Sequence, residues 1–287
     1  MDFCFNSDLA VETKGAYRTN GPEYCEEEIE NCTVCRLNIS DKELSKKYGK
    51  ELGKYTTVFC ESIFLMDRYT LTSTALIIAR ELKEMILGIV EKNIDDCKVL
   101  IVGLGNIDIT ADALGPLAIK NINVTRHLKV LKNELTEVSA IAPGVLSQTG
   151  IETVEIVKAV ASCISPDVII AVDSLAARNA ERIGATVQIS NNGISPGTGI
   201  GNYRKSINHH TVGCPVIALG IPSVVASSLM VFDVLVSAGM ENFDDVLVDK
   251  LKEKKNLYVA PKECDEILNK SVKLLSKAIN ITFGLDS

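Results

Sequence analysis

The chain has no tryptophan, and aromatic residues make up only 5% of its 287 positions. A core made from it must therefore rest on Val, Ile, Leu and Ala, and hydrophobic residues reach 46%. That composition suits a parallel sheet covered by helices. The chain also lacks a basic surplus. Its net charge of −7 argues against nucleic acid or an anionic membrane as a direct partner. No apolar run reaches the roughly 18 residues that a membrane span needs. The opening Met-Asp-Phe-Cys-Phe-Asn-Ser-Asp lacks the basic start and long apolar stretch of a signal peptide. The expected location is the cytoplasm. No internal repeat and no low-complexity segment is present. The nine cysteines are irregularly spaced, and such an odd set in a cytosolic chain reads as reduced thiol. Cys32-Thr-Val-Cys35 has the spacing of half a zinc site, but no second ligand pair accompanies it, and it reads as part of a strand.

The most informative stretch is Lys98-Val-Leu-Ile-Val-Gly-Leu-Gly-Asn106, continuing through Thr110-Ala-Asp-Ala-Leu-Gly-Pro116. Its β-branched start has the length of a strand buried on both faces. Gly103 and Gly105 end the strand, and Asp112 is expected to open a helix running to about His127. Further buried strands are expected at 138–142, 167–173 and 215–220, with a strand near an edge at 185–190. Helices are expected at 72–90, 149–163, 176–183, 222–238 and 262–279. This alternation gives an α/β fold, a doubly wound and mostly parallel sheet with helices on both faces. Residues 13–30 read as a loop. Strand-like pieces at 33–39 and 55–64 suggest a small N-terminal β extension. The chain parses as a single domain: extension over 9–70, α/β core over 71–240 and a helical part over 241–287.

Gly103-Leu-Gly105 supplies half of a dinucleotide fingerprint, but Asp108 stands where the third glycine, needed for close helix–strand packing, should be. Asp112 and Asp173 lie at the carboxyl ends of two strands, where ligands gather in open α/β sheets. Two carboxylates sharing a crevice cannot both ionise cheaply, so the pair can activate water with one member and protonate with the other. On spacing alone, capping of the following helices is the favoured explanation of both residues. Gly193-Ile-Ser195-Pro-Gly197 matches G-x-S-x-G. However, Pro196 has no N–H to offer an oxyanion, so the stretch is not a nucleophile elbow. It reads instead as a loop that lets backbone approach a substrate. His209 and His210 sit in a polar loop, and His127 at a helix end.

These stretches together resemble the germination protease family of spore-forming bacteria. The matching motifs are Ser7-Asp-Leu-Ala-Val-Glu12 and a collinear series across 98–222: Val102–Asn106, Thr110–Pro116, Val124–Leu128, Ser139–Gly144, Gln148–Thr153, Pro166–Arg178, Gln188–Ser190, Gly193–Asn202 and Pro215–Pro222. The resemblance implies an endopeptidase that degrades small acid-soluble spore proteins during germination. Its core is similar to that of hydrogenase-maturation endopeptidases, and its catalytic aspartates fall on Asp112 and Asp173. It implies a zymogen whose pro-segment, 1–8, is removed by self-cleavage of the Asp8–Leu9 bond. Leu-Ala-x-Glu after an acidic residue resembles the cleavage site of the substrates. The loops carrying Gly144, Gly193, Ser195, Gly197 and Gly199 would shape the cleft. No cofactor and no catalytic metal is expected. A homo-oligomer, a tetramer in the family, and a location in the forespore or spore core follow from the same resemblance. Three positions depart from the family pattern: Ser7 for Thr, Ala111 for Pro, and a segment after about 240 shorter than in typical members. Two other readings fit the motifs: a non-catalytic sporulation paralogue that binds a spore protein, and a metal-dependent maturation endopeptidase.

Overall fold

A computed structural model of the chain describes residues 7–12, 21–128, 135–197, 204–240, 243–253 and 257–285. The strands are β1 (Tyr24–Ile29), β2 (Cys32–Ile39), β3 (Gly53–Phe59), β4 (Lys98–Gly103), β5 (Glu137–Ile141), β6 (Val168–Ala177), β7 (Thr186–Ser190), β8 (Val216–Ala226) and β9 (Tyr258–Val259). The helices are α1 (Lys42–Tyr48), α2 (Arg68–Leu87), α3 (Leu114–Ile119), α4 (Leu146–Thr149), α5 (Thr153–Ile164), α6 (His209–Val212), α7 (Ser227–Ser237), α8 (Asp245–Glu253) and α9 (Cys264–Thr282).

One mixed sheet runs in the order β1-β2-β3-β7-β8-β6-β4-β5, with β9 on the far end of β8. The β5, β4, β6 and β8 strands are parallel. The β1, β2, β3 and β7 strands are antiparallel and join the parallel half through the β7–β8 pairing. Alternation along the central strands separates two cores. Val99 and Ile101 of β4 and Ile170 and Val172 of β6 pack with α2, α3 and α9. Leu100 and Val102, with Ile169 and Ala171, pack with α5 and α6 on the other face. The α/β class with helices on both faces therefore holds, and the N-terminal β extension belongs to the same sheet.

Several local expectations are overturned. Tyr24–Ile29 is a strand rather than loop, while 13–20 lie outside the described residues. The strand over 185–190 is not near an edge but lies between β3 and β8. The expected helix at 176–183 is a continuation of β6 followed by a 3-10 turn at Ala180–Arg182. Pairing with β8 holds Ala176 and Ala177 extended against their helix propensity. Strand β8 likewise runs through Pro222 to Ala226, and its helix begins only at Ser227. The helix expected from Asp112 to His127 is reduced to α3 between 3-10 turns at Thr110–Asp112 and Arg126–Leu128. Beyond it, Asn123 bonds to Asn280 and Leu285, and Thr125 bonds to Val138. Those contacts hold the chain away from a continued helix.

Cys32 and Cys35 lie three apart on one strand, so they face opposite sides of the sheet. Cys32 enters the main core, and Cys35 packs near Leu9 on the other face. They cannot share a metal.

Candidate active site

The site forms where β4 stops and β6 continues. Gly103 of β4 is the last residue paired with β6, opposite Val172, and Leu104 N donates to Val172 O at 2.8 Å. Asp173 is therefore the first β6 residue beyond the β4 ladder, and it pairs with Gly220 of β8. It is mid-strand, not at a helix start. Its Oδ1 accepts from Ser174 N at 2.9 Å, and the residue is only 5% exposed.

Asp112 reaches the same place by a different route. The chain leaves β4 through Gly105, whose φ of +112° suits glycine. A Cβ there would stand 2.0 Å from the Asp112 carbonyl oxygen. The loop then closes with Asn106 N donating to Asp112 Oδ2 at 2.7 Å. Helix α3 begins two residues later with no side-chain cap. Capping, the competing sequence explanation for both aspartates, is thus excluded: neither carboxylate caps a helix. The half-fingerprint is resolved too. The loop N–H is committed to a carboxylate, and the close helix–strand contact comes from Gly115 of α3, where a Cβ would sit 2.3–2.4 Å from backbone atoms of Leu104 and Val172.

Asp112 and Asp173 line one cleft of about 330 Å³, together with Asp8, Ser195, Gly197 and Arg204. Burial is the main force on Asp173 and pushes its carboxyl well above the ordinary range. The nearby Asp112 and Asp8 charges push the same way, against the single N–H of Ser174. Asp112 is also raised by burial, but the Asn106 N–H and the Arg204 charge favour its anion. The two carboxyls are thus unequal, with the proton held more firmly by Asp173.

The segment Ser7–Glu12 is seated beside them. Asp8 N donates to Ala176 O at 3.1 Å, and Ala176 N donates to Asp8 Oδ2 at 2.9 Å. Leu9 is fully buried, packed with Val11, Cys35, Leu175 and Ala177. Ala10 N donates to Gln188 Oε1 at 3.0 Å. The buried Glu12 carboxylate accepts from Arg178 N at 2.6 Å, from Asn179 N at 3.0 Å and from the Ser7 hydroxyl.

Of the loop residues singled out from sequence, Ser195 and Gly197 line the cleft. Gly144 and Gly193 do not line it themselves. Each takes a positive φ, +74° and +84°, in a turn whose neighbours Val145 and Ile194 do. Gly199 lies outside the described residues. His127 borders a separate shallow groove, and His209 and His210 meet edge-on at the start of α6. Among the described residues, no three His, Cys, Asp or Glu side chains stand together as a metal site requires.

Sequence reading missed Ser223. Strand β8 carries a bulge there: Leu175 pairs with Pro222 and Ala176 with Val224. Ser223 is left out of the ladder, and a bulge of this kind re-aims a side chain. Its Oγ donates to Ala111 O at 2.6 Å, tying the Asp112 turn to β8. The Ser223→Ala variant is expected to lose about tenfold in peptidase kcat with little change in KM, as loss of one positioning bond implies. Ser223→Thr should restore most of it. An unchanged kcat in Ser223→Ala would show that this bond does not position Asp112.

An open α/β sheet with an acidic cleft at its strand ends defines the class of the molecule, an α/β enzyme with its chemistry beyond the parallel strands. The comparisons with known proteins make it specific. A family model described as germination protease matches residues 6–238. The germination protease of Clostridium perfringens is 36% identical over 96% of this chain and 94% of that protein. That of Caldanaerobacter subterraneus subsp. tengcongensis is 38% identical over 96% of this chain and 93% of its own. That of Priestia megaterium is 42% identical over 78% of this chain and 64% of its own. The chain belongs to the germination protease family and is an endopeptidase by class.

Proposed function

We propose that the protein is a self-processing aspartate-type endopeptidase that hydrolyses small acid-soluble spore proteins at germination. One observation carries this reading: two unequal aspartates and the Asp8 end of the chain's own N-terminal segment share a single cleft.

Asp112, favoured as the anion, takes a proton from the attacking water. Asp173, favoured as the acid, donates to the carbonyl oxygen as the tetrahedral intermediate forms. Collapse breaks the C–N bond: the amine leaves with the proton that Asp112 collected, and Asp173 regains a proton from a hydroxyl of the tetrahedral carbon as the carbonyl re-forms. At the Asp8–Leu9 bond the products are a carboxylate on Asp8 and a new amine on Leu9. The loop through Ser195 and Gly197 bounds the cleft, and the family's homotetramer is the assembly in which this would occur.

The test is intact-mass spectrometry at mildly acidic and neutral pH, with and without a small acid-soluble spore protein. The expected result is loss of residues 1–8 and cleavage of the added protein by wild type. Neither should occur with Asp112→Asn or Asp173→Asn. An intact chain and intact substrate under every condition would overturn the reading and favour a protein that binds spore proteins without cutting them.

A further inference from the structure

Lys50 lies outside the catalytic pair and outside every motif singled out in the sequence. It follows the left-handed Gly49 that ends α1, and the hydroxyl of Ser45 bonds to its carbonyl at 2.7 Å, fixing the turn. Its half-buried side chain then runs to the seated N-terminal segment, where Nζ donates to Ser7 O at 2.6 Å. This is its one hydrogen bond among the described residues. Among the described residues, the ionised groups that act on it are Asp8 and Glu12, both on that segment. Burial alone pushes the ammonium down, and these two carboxylates oppose the push.

The partners of Lys50 are thus unusual. Glu12 is already satisfied by Arg178 N, Asn179 N and Ser7, and stays with the chain after scission. Ser7 O and Asp8 belong to the part that scission at Asp8–Leu9 releases. A buried cation left without partners is costly. Loss of residues 1–8 therefore leaves an ammonium beside the path the segment occupied, with a carbonyl partner and a neighbouring negative charge to replace. Any second polypeptide cut by the same machinery enters along the same path.

We propose that Lys50 is a specificity-determining residue, which holds the carbonyl one residue before the acidic residue on the amino side of the scissile bond and favours that residue's negative charge by its own positive one. The ligand it fits is an acidic peptide strand. Ala176 N shares the work, because it already donates to Asp8 Oδ2. The inference rests on the protease reading above and adds the group that selects the substrate.

The experiment is a cycle on the full chain: wild type, Asp8→Asn, Lys50→Met and the double variant, with self-cleavage followed by intact mass. Asp8→Asn is expected to slow cleavage about tenfold in the presence of Lys50, the scale of one lost attraction between neighbouring opposite charges. In the Lys50→Met background the same change should cost about twofold or less, the remainder being the Ala176 contribution. Lys50→Arg should keep most of the rate, and Asp8→Lys combined with Lys50→Glu should outpace Asp8→Lys alone. Processed wild type should also prefer a peptide with Asp before Leu to one with Asn in kcat/KM, and Lys50→Met should lose that preference. Equal slowing by Asp8→Asn in both backgrounds would overturn the assignment. If wild type is never cut at Asp8–Leu9, the protease reading itself fails. Thermal melting of the same cycle in the Asp173→Asn background then still shows whether Lys50 and Asp8 are coupled, and additive melting shifts would reject the coupling.

Discussion

Replacing Asp173 by Asn should abolish cleavage and at the same time raise the melting temperature at neutral pH. The two effects have one cause. Asp173 is a buried carboxyl whose ionised form is disfavoured by burial and by the charges of Asp112 and Asp8. Its folded pKa is raised above the unfolded value, so its stability contribution is full below about pH 4, where both states are protonated. That contribution is lost as pH rises through the folded value. Asn has no charge to bury. The stabilisation of Asp173→Asn should therefore be near zero at about pH 4 and grow with pH, to a few degrees at neutral pH, since each kcal/mol is worth roughly 2 °C in a chain of this size. Cleavage should fall by about three to four orders of magnitude, as for removal of a positioned acid or base. Differential scanning calorimetry from pH 4 to 8 reads the first effect, and intact mass reads the second. A melting point lowered at every pH would show that Asp173 holds the fold together rather than storing a proton in it.

The largest loss of stability is expected from Gly115→Ala. Gly115 lies in α3 where the helix touches both central strands, and every close neighbour of an added methyl is backbone: Leu104 N and O, and Val172 O. None of these can move aside like a flexible side chain. The helix must instead retreat from β4 and β6, breaking the packing of Leu114 and Ala118 in the main core. A cost of about 3 kcal/mol or more is expected for overpacking of this kind, which is on the order of 10 °C in melting temperature. Activity should fall further than stability, because the same retreat carries the Asp112 turn with it. A melting point within about 2 °C of wild type, a shift under 1 kcal/mol, would show that α3 does not depend on this contact.

The buried strands were legible because Val, Ile and Leu follow one another in short runs bounded by Gly or Pro, as in Lys98–Gly103. The two aspartates were legible as a pair of strand-end acids, but on the residues alone capping was the favoured explanation. What separates the two explanations is the Asn106 N–H, a backbone group with no sequence signature. The extension of β6 past Asp173 was illegible for a related reason. Ala176 and Ala177 are helix formers by propensity, and only pairing with β8 and with Asp8 holds them extended. Ser223 was invisible because a bulge is a property of two strands in register. Lys50 was invisible because its partner, Ser7 O, is 43 residues away in sequence. Gly115 could have been found: a glycine three residues into an expected helix, just after a G-x-G strand end, is where a close helix–strand contact would be sought.

The strand order also sets a timetable for synthesis. The β2–β3 hairpin is complete early, yet the other edge of β3 pairs with β7, and 131 residues separate Thr57 from its partner Gln188. At ribosomal rates of roughly 5–20 residues per second, that edge waits on the order of 10 s for its neighbour. Ala10 N also donates to Gln188, and Arg178 N and Asn179 N donate to Glu12. The N-terminal segment therefore has no seat until those residues have left the ribosome, and β8 emerges later still. A nascent chain carries Asp8 for most of its synthesis without a cleft around it, so under the proposed self-cleavage translation itself would delay the cut until the fold is complete.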